Sequence, residues 1–128
     1  MIKDFEVWNK QKKKIHEYEG HKLYHEREVW WCSLGINVGF EQDGTGKDGE
    51  RPVLILKGFS AKVCLIVPLT TSMKNNPYHI DLGLLQGRRS FAIISQIRLI
   101  DTRRLVNKMC FIDKVLFQNI RKTIKDLL

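Results

Sequence analysis

From Glu28 onward the chain is cut into short apolar runs: EVWWCSLGI, RPVLILKGF, AKVCLIVPLT, HIDLGL and SFAIISQIRLI. Each is rich in Val, Ile, Leu or aromatic residues, and each is closed by Gly, Asn, Pro or a charged cluster. Runs of this length and composition suit strands and are too short for core helices. Turn chemistry marks the joints. Gly58-Phe59-Ser60 is short enough for a hairpin, while Lys74-Asn75-Asn76-Pro77 and Gln86-Gly87-Arg88-Arg89 mark two further connections. Asp101-Thr102-Arg103-Arg104-Leu105 reads as a brief helical turn capped by Asp101, followed by a last strand in VNKMCFI.

Helical periodicity is confined to the two ends. Phe5, Trp8 and Ile15 form a sparse stripe over residues 3–18, and Leu116, Ile120, Ile124 and Leu127 recur at helical spacing in DKVLFQNIRKTIKDLL, where Asp113 can cap the N-terminus. The expected class is mainly β with terminal helices. Five or six strands in so small a domain must avoid open edges, which favours a strongly curved, SH3-like barrel. The expected division is an N-terminal accessory helix over 1–25 and the barrel over 26–128.

A chain of 128 residues suits one domain. Its 22 Lys and Arg against 14 Asp and Glu leave a formal +8, which favours a polyanionic partner such as nucleic acid, or an acidic protein. No run reaches the roughly 18–20 apolar residues of a membrane span, and the N-terminus lacks the apolar middle of a signal peptide, so a cytoplasmic location is expected. Cys32, Cys64 and Cys110 are odd in number, widely spaced and set in apolar runs, which favours buried reduced thiols. HEYEGH has one residue too many for HExxH, and no metal is expected.

The segment GFEQDGTGKDGERPV holds a literal G-x-G-x-x-G at Gly44, Gly46 and Gly49. A dinucleotide fingerprint needs a helix directly after the glycines, but Arg51-Pro52 leads into a strand. A Walker loop fails as well, because Asp48 follows Lys47 where Ser or Thr is required. No cofactor is expected, and the segment reads as a loop between two strands. Polar residues that interrupt strands are the remaining candidates. Arg51 opens a strand beside Pro52, Thr70, Thr71 and Ser72 leave another as a hydroxyl cluster, and Ser95, Gln96 and Arg98 punctuate FAIISQIRLI. Unbroken alternation would send Ser95 and Ile97 to one face, and Gln96 and Arg98 to the other. Guanidinium, hydroxyl and amide groups of this kind suit a phosphodiester if they converge. Taken singly, they equally suit a solvated cation, a turn cap and a satisfied strand amide.

Four stretches in order, EREVWWCSLG, GFEQDGTGKDGERPVLIL, IVPLTTS and SQIRLIDTRRL, resemble the MazF/PemK toxins of type II toxin–antitoxin systems over residues 26–128. The resemblance implies a homodimeric barrel that cuts single-stranded RNA without a metal ion, and a cognate antitoxin protein as partner. It implies Arg51 and Thr70 as the catalytic pair, with Glu41, Gln42, Ser95 and Gln96 along the substrate groove. Glu26-Arg27 replace the family's Arg-Gly, Ser95 stands where some members carry a carboxylate, and the loop from Gln42 to Glu50, with Lys47 in it, is longer than in many members.

In outline, the RNA's own 2′-OH can serve as nucleophile, leaving the protein to orient it and to stabilise charge on phosphorus. A fixed guanidinium at Arg51 suits the second task. Arginine is a poor base, so the expected acceptor of the 2′-OH proton is Glu41, with Glu50 the weaker candidate. Substrate contacts are expected from Gln42, Lys47, Thr71, Ser72, Ser95, Gln96 and Arg98. The alternative is a non-catalytic member of the same fold that binds nucleic acid or a protein.

Overall fold

The computed structural model describes residues 23–34, 49–72 and 76–128. Seven strands and a helix follow in order: β1 (Glu28–Ser33), β2 (Glu50–Gly58), β3 (Val63–Thr70), β4 (His79–Leu85), β5 (Arg88–Ile93), β6 (Arg98–Asp101), β7 (Leu105–Phe111) and α1 (Lys114–Leu127). The spatial order is β4-β5-β3-β2-β1-β7, with β6 also paired to β3, and every pairing is antiparallel. The sheet curls into a partial barrel. The tip of the β4–β5 hairpin returns towards the far strand, where Gln86 Nε2 donates to the Met109 carbonyl at 2.7 Å. The accessory helix expected over 1–25 lies outside the described residues except for 23–25, which form no regular element.

The middle strands are buried on both faces. Val29, Leu54, Leu56, Val67 and Leu69 face one core, closed by Phe117 and Ile120 of α1 and by Leu82 and Ala92 of the β4–β5 hairpin. Trp30, Cys32, Val53, Ile55, Cys64 and Ile66 face a second, closed by Tyr24, Ile100 and Leu105. Strict alternation along β1, β2 and β3 sends neighbouring residues to opposite cores. This explains why VLIL and VCLIV are apolar without a break.

Turn and cap expectations hold where the structure describes them. Phe59 N–H bonds the Val63 carbonyl across the β2–β3 hairpin at 3.1 Å. Tyr24 pins the same hairpin through its hydroxyl, which donates to the Ser60 carbonyl at 2.6 Å. The β4–β5 turn places Gln86 and Gly87 at φ 51 and 82, the left-handed pair that a two-residue hairpin requires. Asp101 caps the Thr102–Arg104 3-10 turn, and Asp113 accepts from Val115 and Leu116 N–H at the start of α1.

Two expectations are corrected. FAIISQIRLI is not one strand: β5 ends at Ile93, Ile94–Gln96 form a 3-10 turn, and β6 starts at Arg98. Both strands pair with β3, through Thr70↔Phe91 and Ile66↔Arg98. Those pairs span four residues of β3 and seven of the other chain, so three residues are extruded as the turn. Pro68, with no N–H to give a ladder, lies in the gap. On α1 the anchors are Phe117 and Ile120, with Leu116 and Ile124 partly buried, whereas Leu127 is 42% exposed because it sits in the last turn beyond the sheet.

Candidate active site

Arg51 is the second residue of β2 and the register partner of Cys32. Its alternation with Val53 and Ile55 sets it on the face of the second core. The β2–β3 register runs through Ile55↔Ile66, Leu54↔Val67 and Val53↔Pro68. The ladder ends at Val53↔Pro68; carried on by two residues, the same register would face Arg51 with Thr70, and alternation sets both on the side of the second core. The pair named by the resemblance therefore falls on one face, each residue two positions beyond the last β2–β3 pair. Arg51 is 3% exposed and Thr70 6%, so both side chains are recessed in the fold.

Local structure fixes the hydroxyl. Thr70 Oγ1 accepts from Ser72 N–H at 3.0 Å, which orients the oxygen and leaves its proton available to donate. Thr71 and Ser72 follow directly and are half-buried. Ser33 pairs with Glu50, and Leu34 N–H bonds the Gly49 carbonyl at 3.4 Å. Residues 33–34 and 49–50 thus lie together beside Arg51. Glu41, Gln42 and Lys47 belong to the stretch between them and lie outside the described residues.

The other expected residues divide. Ser95, exposed, and Gln96, half-buried, sit in the 3-10 turn that flanks β3 between the β5 and β6 pairings, so strand alternation does not govern where they point. Arg98 shares the face of Arg51, through its pairing with Ile66, but lies four residues of β3 from Thr70, about 13 Å along the strand. Arg104 is a further candidate that sequence reasoning passes over. Its Nη1 donates to the Ser33 carbonyl at 3.1 Å, tying the 3-10 turn to the end of β1. Its presence in the SQIRLIDTRRL stretch is the signal that would have found it.

The electrostatics agree with this clustering. Burial pushes the Cys32 thiol up to about 12, while the guanidinium groups of Arg104 and Arg98 pull it back. Two arginines therefore act on the residue paired with a third. The arrangement offers a recessed guanidinium, an oriented hydroxyl and further positive charge around one end of the barrel, which is a donor set for an oxyanion. Among the described residues, no three His, Cys, Asp or Glu side chains stand together as a ligand set.

Residues 25–128 match the family described as the PemK-like, MazF-like toxin of type II toxin–antitoxin systems. The chain belongs to this family. Solved structures agree in fold. MazF from Deinococcus radiodurans superposes with a TM-score of 0.64 at 19% identity, covering 81% of this chain and 94% of that one. A MazF toxin of Mycobacterium tuberculosis gives 0.60 at 15%, over 78% and 94%. An endoribonuclease from a mycobacterial species, solved in complex with its cognate antitoxin, gives 0.60 at 15%, over 80% and 92%. No curated protein matches the chain by sequence. Among the described residues, no helix is long and apolar enough to cross a membrane.

Proposed function

We propose that this MazF/PemK-family chain is an endoribonuclease toxin that cuts single-stranded RNA without a metal ion. The observation that supports the reading is that the recessed Arg51 and the oriented hydroxyl of Thr70 lie on one face just past the end of the β2–β3 ladder. In the proposed reaction the 2′-oxygen forms a bond to phosphorus as the bond to the 5′-oxygen breaks. The products are a 2′,3′-cyclic phosphate and a 5′-OH. Arg51 and Thr70 donate to the phosphoryl oxygens, whose charge grows towards the transition state. Glu41 takes the 2′-OH proton, and Arg51 or solvent returns one to the leaving oxygen. Gln42, Lys47, Thr71, Ser72, Ser95, Gln96 and Arg98 contact the strand.

The proposal extends to assembly and place: a homodimer, a cytoplasmic location and a cognate antitoxin as inhibitor. Self-association is supported by Phe111 and Val115, 68% and 67% exposed, beside β7 at the end of the sheet path. The net charge of +8 supports a polyanionic substrate.

The test is incubation with mixed-sequence single-stranded RNA in EDTA, beside Arg51→Ala, Thr70→Ala and Glu41→Gln, with end groups mapped. The expected result is 5′-OH ends from the wild type and loss of cutting in all three variants. Intact RNA with folded wild type would overturn the enzyme in favour of a binding protein. Near-full cleavage by Glu41→Gln would remove that residue as the base.

A further inference from the structure

The side of the barrel under α1 carries a groove that the ribonuclease reading does not use. Its floor is Leu56, Leu65 and Ile124, and its rim is Lys57, Arg121 and Lys125. A β-bulge forms it. The β2–β3 register shifts between Ile55 and Lys57, so Lys57 pairs with Leu65. Unbroken alternation would put Leu56 and Lys57 on opposite faces, but the bulge turns both towards the helix. Arg121 and Lys125 stand one helical turn apart above them. On their other flank a second depression adds Lys122 and Gln118.

The lining residues include three cations and no carboxylate. Arg121 is partly answered, by Glu26 at 3.8 Å and by the Phe117 ring at 5.8 Å, and Lys57 Nζ lies 5.5 Å from the Phe59 ring. The groove is open to solvent and has a volume of about 130 Å³. An apolar floor under a cationic rim complements a peptide that alternates carboxylates with apolar side chains. A bare phosphate backbone would leave the floor unfilled.

We infer that the groove between α1 and the β2–β3 bulge is a docking surface for an acidic, apolar-bearing segment of a partner protein. It lies on the face of the sheet opposite Arg51 and Thr70, so it does not rest on the catalytic reading. Binding there leaves the RNA side open, and one chain can hold a partner and a nucleic acid together.

The test uses the full chain and a fluorescein-labelled ten-residue peptide alternating Glu with Leu and Phe, followed by anisotropy. Two control peptides replace Glu by Gln, or Leu and Phe by Ser, and a ten-nucleotide single-stranded RNA is titrated in parallel. The expected result is saturable binding of the first peptide that weakens at least tenfold for either control peptide. It should weaken at least tenfold again in Lys57→Glu/Lys125→Glu, with the thermal midpoint unchanged and with Arg51→Ala binding the peptide like wild type. Lys57→Gln/Lys125→Gln gives the same comparison without charge reversal should the first variant fold poorly. No peptide binding at millimolar concentration, binding indifferent to both double variants, or binding lost in Arg51→Ala would each overturn the inference. RNA binding that falls in the double variants while the peptide fails to bind would reassign the groove to nucleic acid.

Discussion

Cys32 and Cys64 are both 0% exposed, and both thiols are held as the neutral form: burial pushes each from 9.0 up to about 12. Neighbouring groups adjust this, with Arg104 and Arg98 opposing the rise at Cys32, and Cys32 and Asp101 adding to it at Cys64. Unfolded chain therefore loses these protons about three pH units before folded chain does. A folded-state pKa above the unfolded value gives stability that is fully present below about 9 and is lost as pH rises towards about 12. Each unit in that window costs about 1.4 kcal/mol per thiol. Moving from pH 8 to pH 10 should thus remove on the order of 3 kcal/mol through the pair. The assay is urea unfolding in the presence of a reductant, followed by tryptophan fluorescence, since Trp30 lies 6% exposed in the same core. Cys32→Ala/Cys64→Ala starts lower because of the cavities it opens, but its stability should change far less between the two pH values. Equal losses in wild type and variant would refute the account of two protonated buried thiols.

Ile120→Ala, which empties the fully buried contact of α1 with the sheet, should lower the urea-unfolding free energy by about 2–5 kcal/mol. Asp113→Ala removes the acceptor for Val115 and Leu116 N–H and should cost about 0.5–2 kcal/mol in the same experiment. Gly87→Ala meets no steric neighbour within 4 Å, yet φ is +82, so a loss of roughly 1–2 kcal/mol is expected from backbone conformation alone. In the proposed enzyme, Arg51→Lys keeps the charge but loses the planar fork, and single-turnover RNA cleavage should slow by about 10²–10³ with little change in melting temperature.

The features that were legible in advance are those whose causes are local. The Gly58-Phe59-Ser60 hairpin, the Gln86-Gly87 turn and the caps at Asp101 and Asp113 each depend on a few consecutive residues, and each is where its chemistry puts it. The break between β5 and β6 depends on something distant. It arises because one edge of β3 pairs with two strands whose registers differ by three residues, and Ile94, Ser95 and Gln96 carry no local mark of that. The same holds on α1. Leu127 keeps the helical period of Ile120 and Ile124, but only the sheet decides where the buried stripe stops.

The candidate site shows the limit in a different way. Arg51 and Thr70 are 19 residues apart in sequence and come to the same end and face of the sheet only through the β2–β3 register. That register is set by which face of VLIL and VCLIV meets which core. A shift of one residue would send Arg51 towards the opposite core, so the burial of Val53, Ile55 and Ile66 on one side fixes the functional geometry on the same side. The Arg104 bond to the Ser33 carbonyl joins positions 71 residues apart, the turn before β7 and the end of β1. Residue type and local spacing cannot reveal such a contact, whereas a barrel that brings β1 beside β7 makes it short. If Arg104 holds the β1 end in place beside Arg51, Arg104→Ala should raise KM and lower kcat for RNA cleavage, and Arg104→Lys should restore only part of both. Unchanged kinetics in Arg104→Ala would show that the β1–β2 ladder positions Arg51 without it.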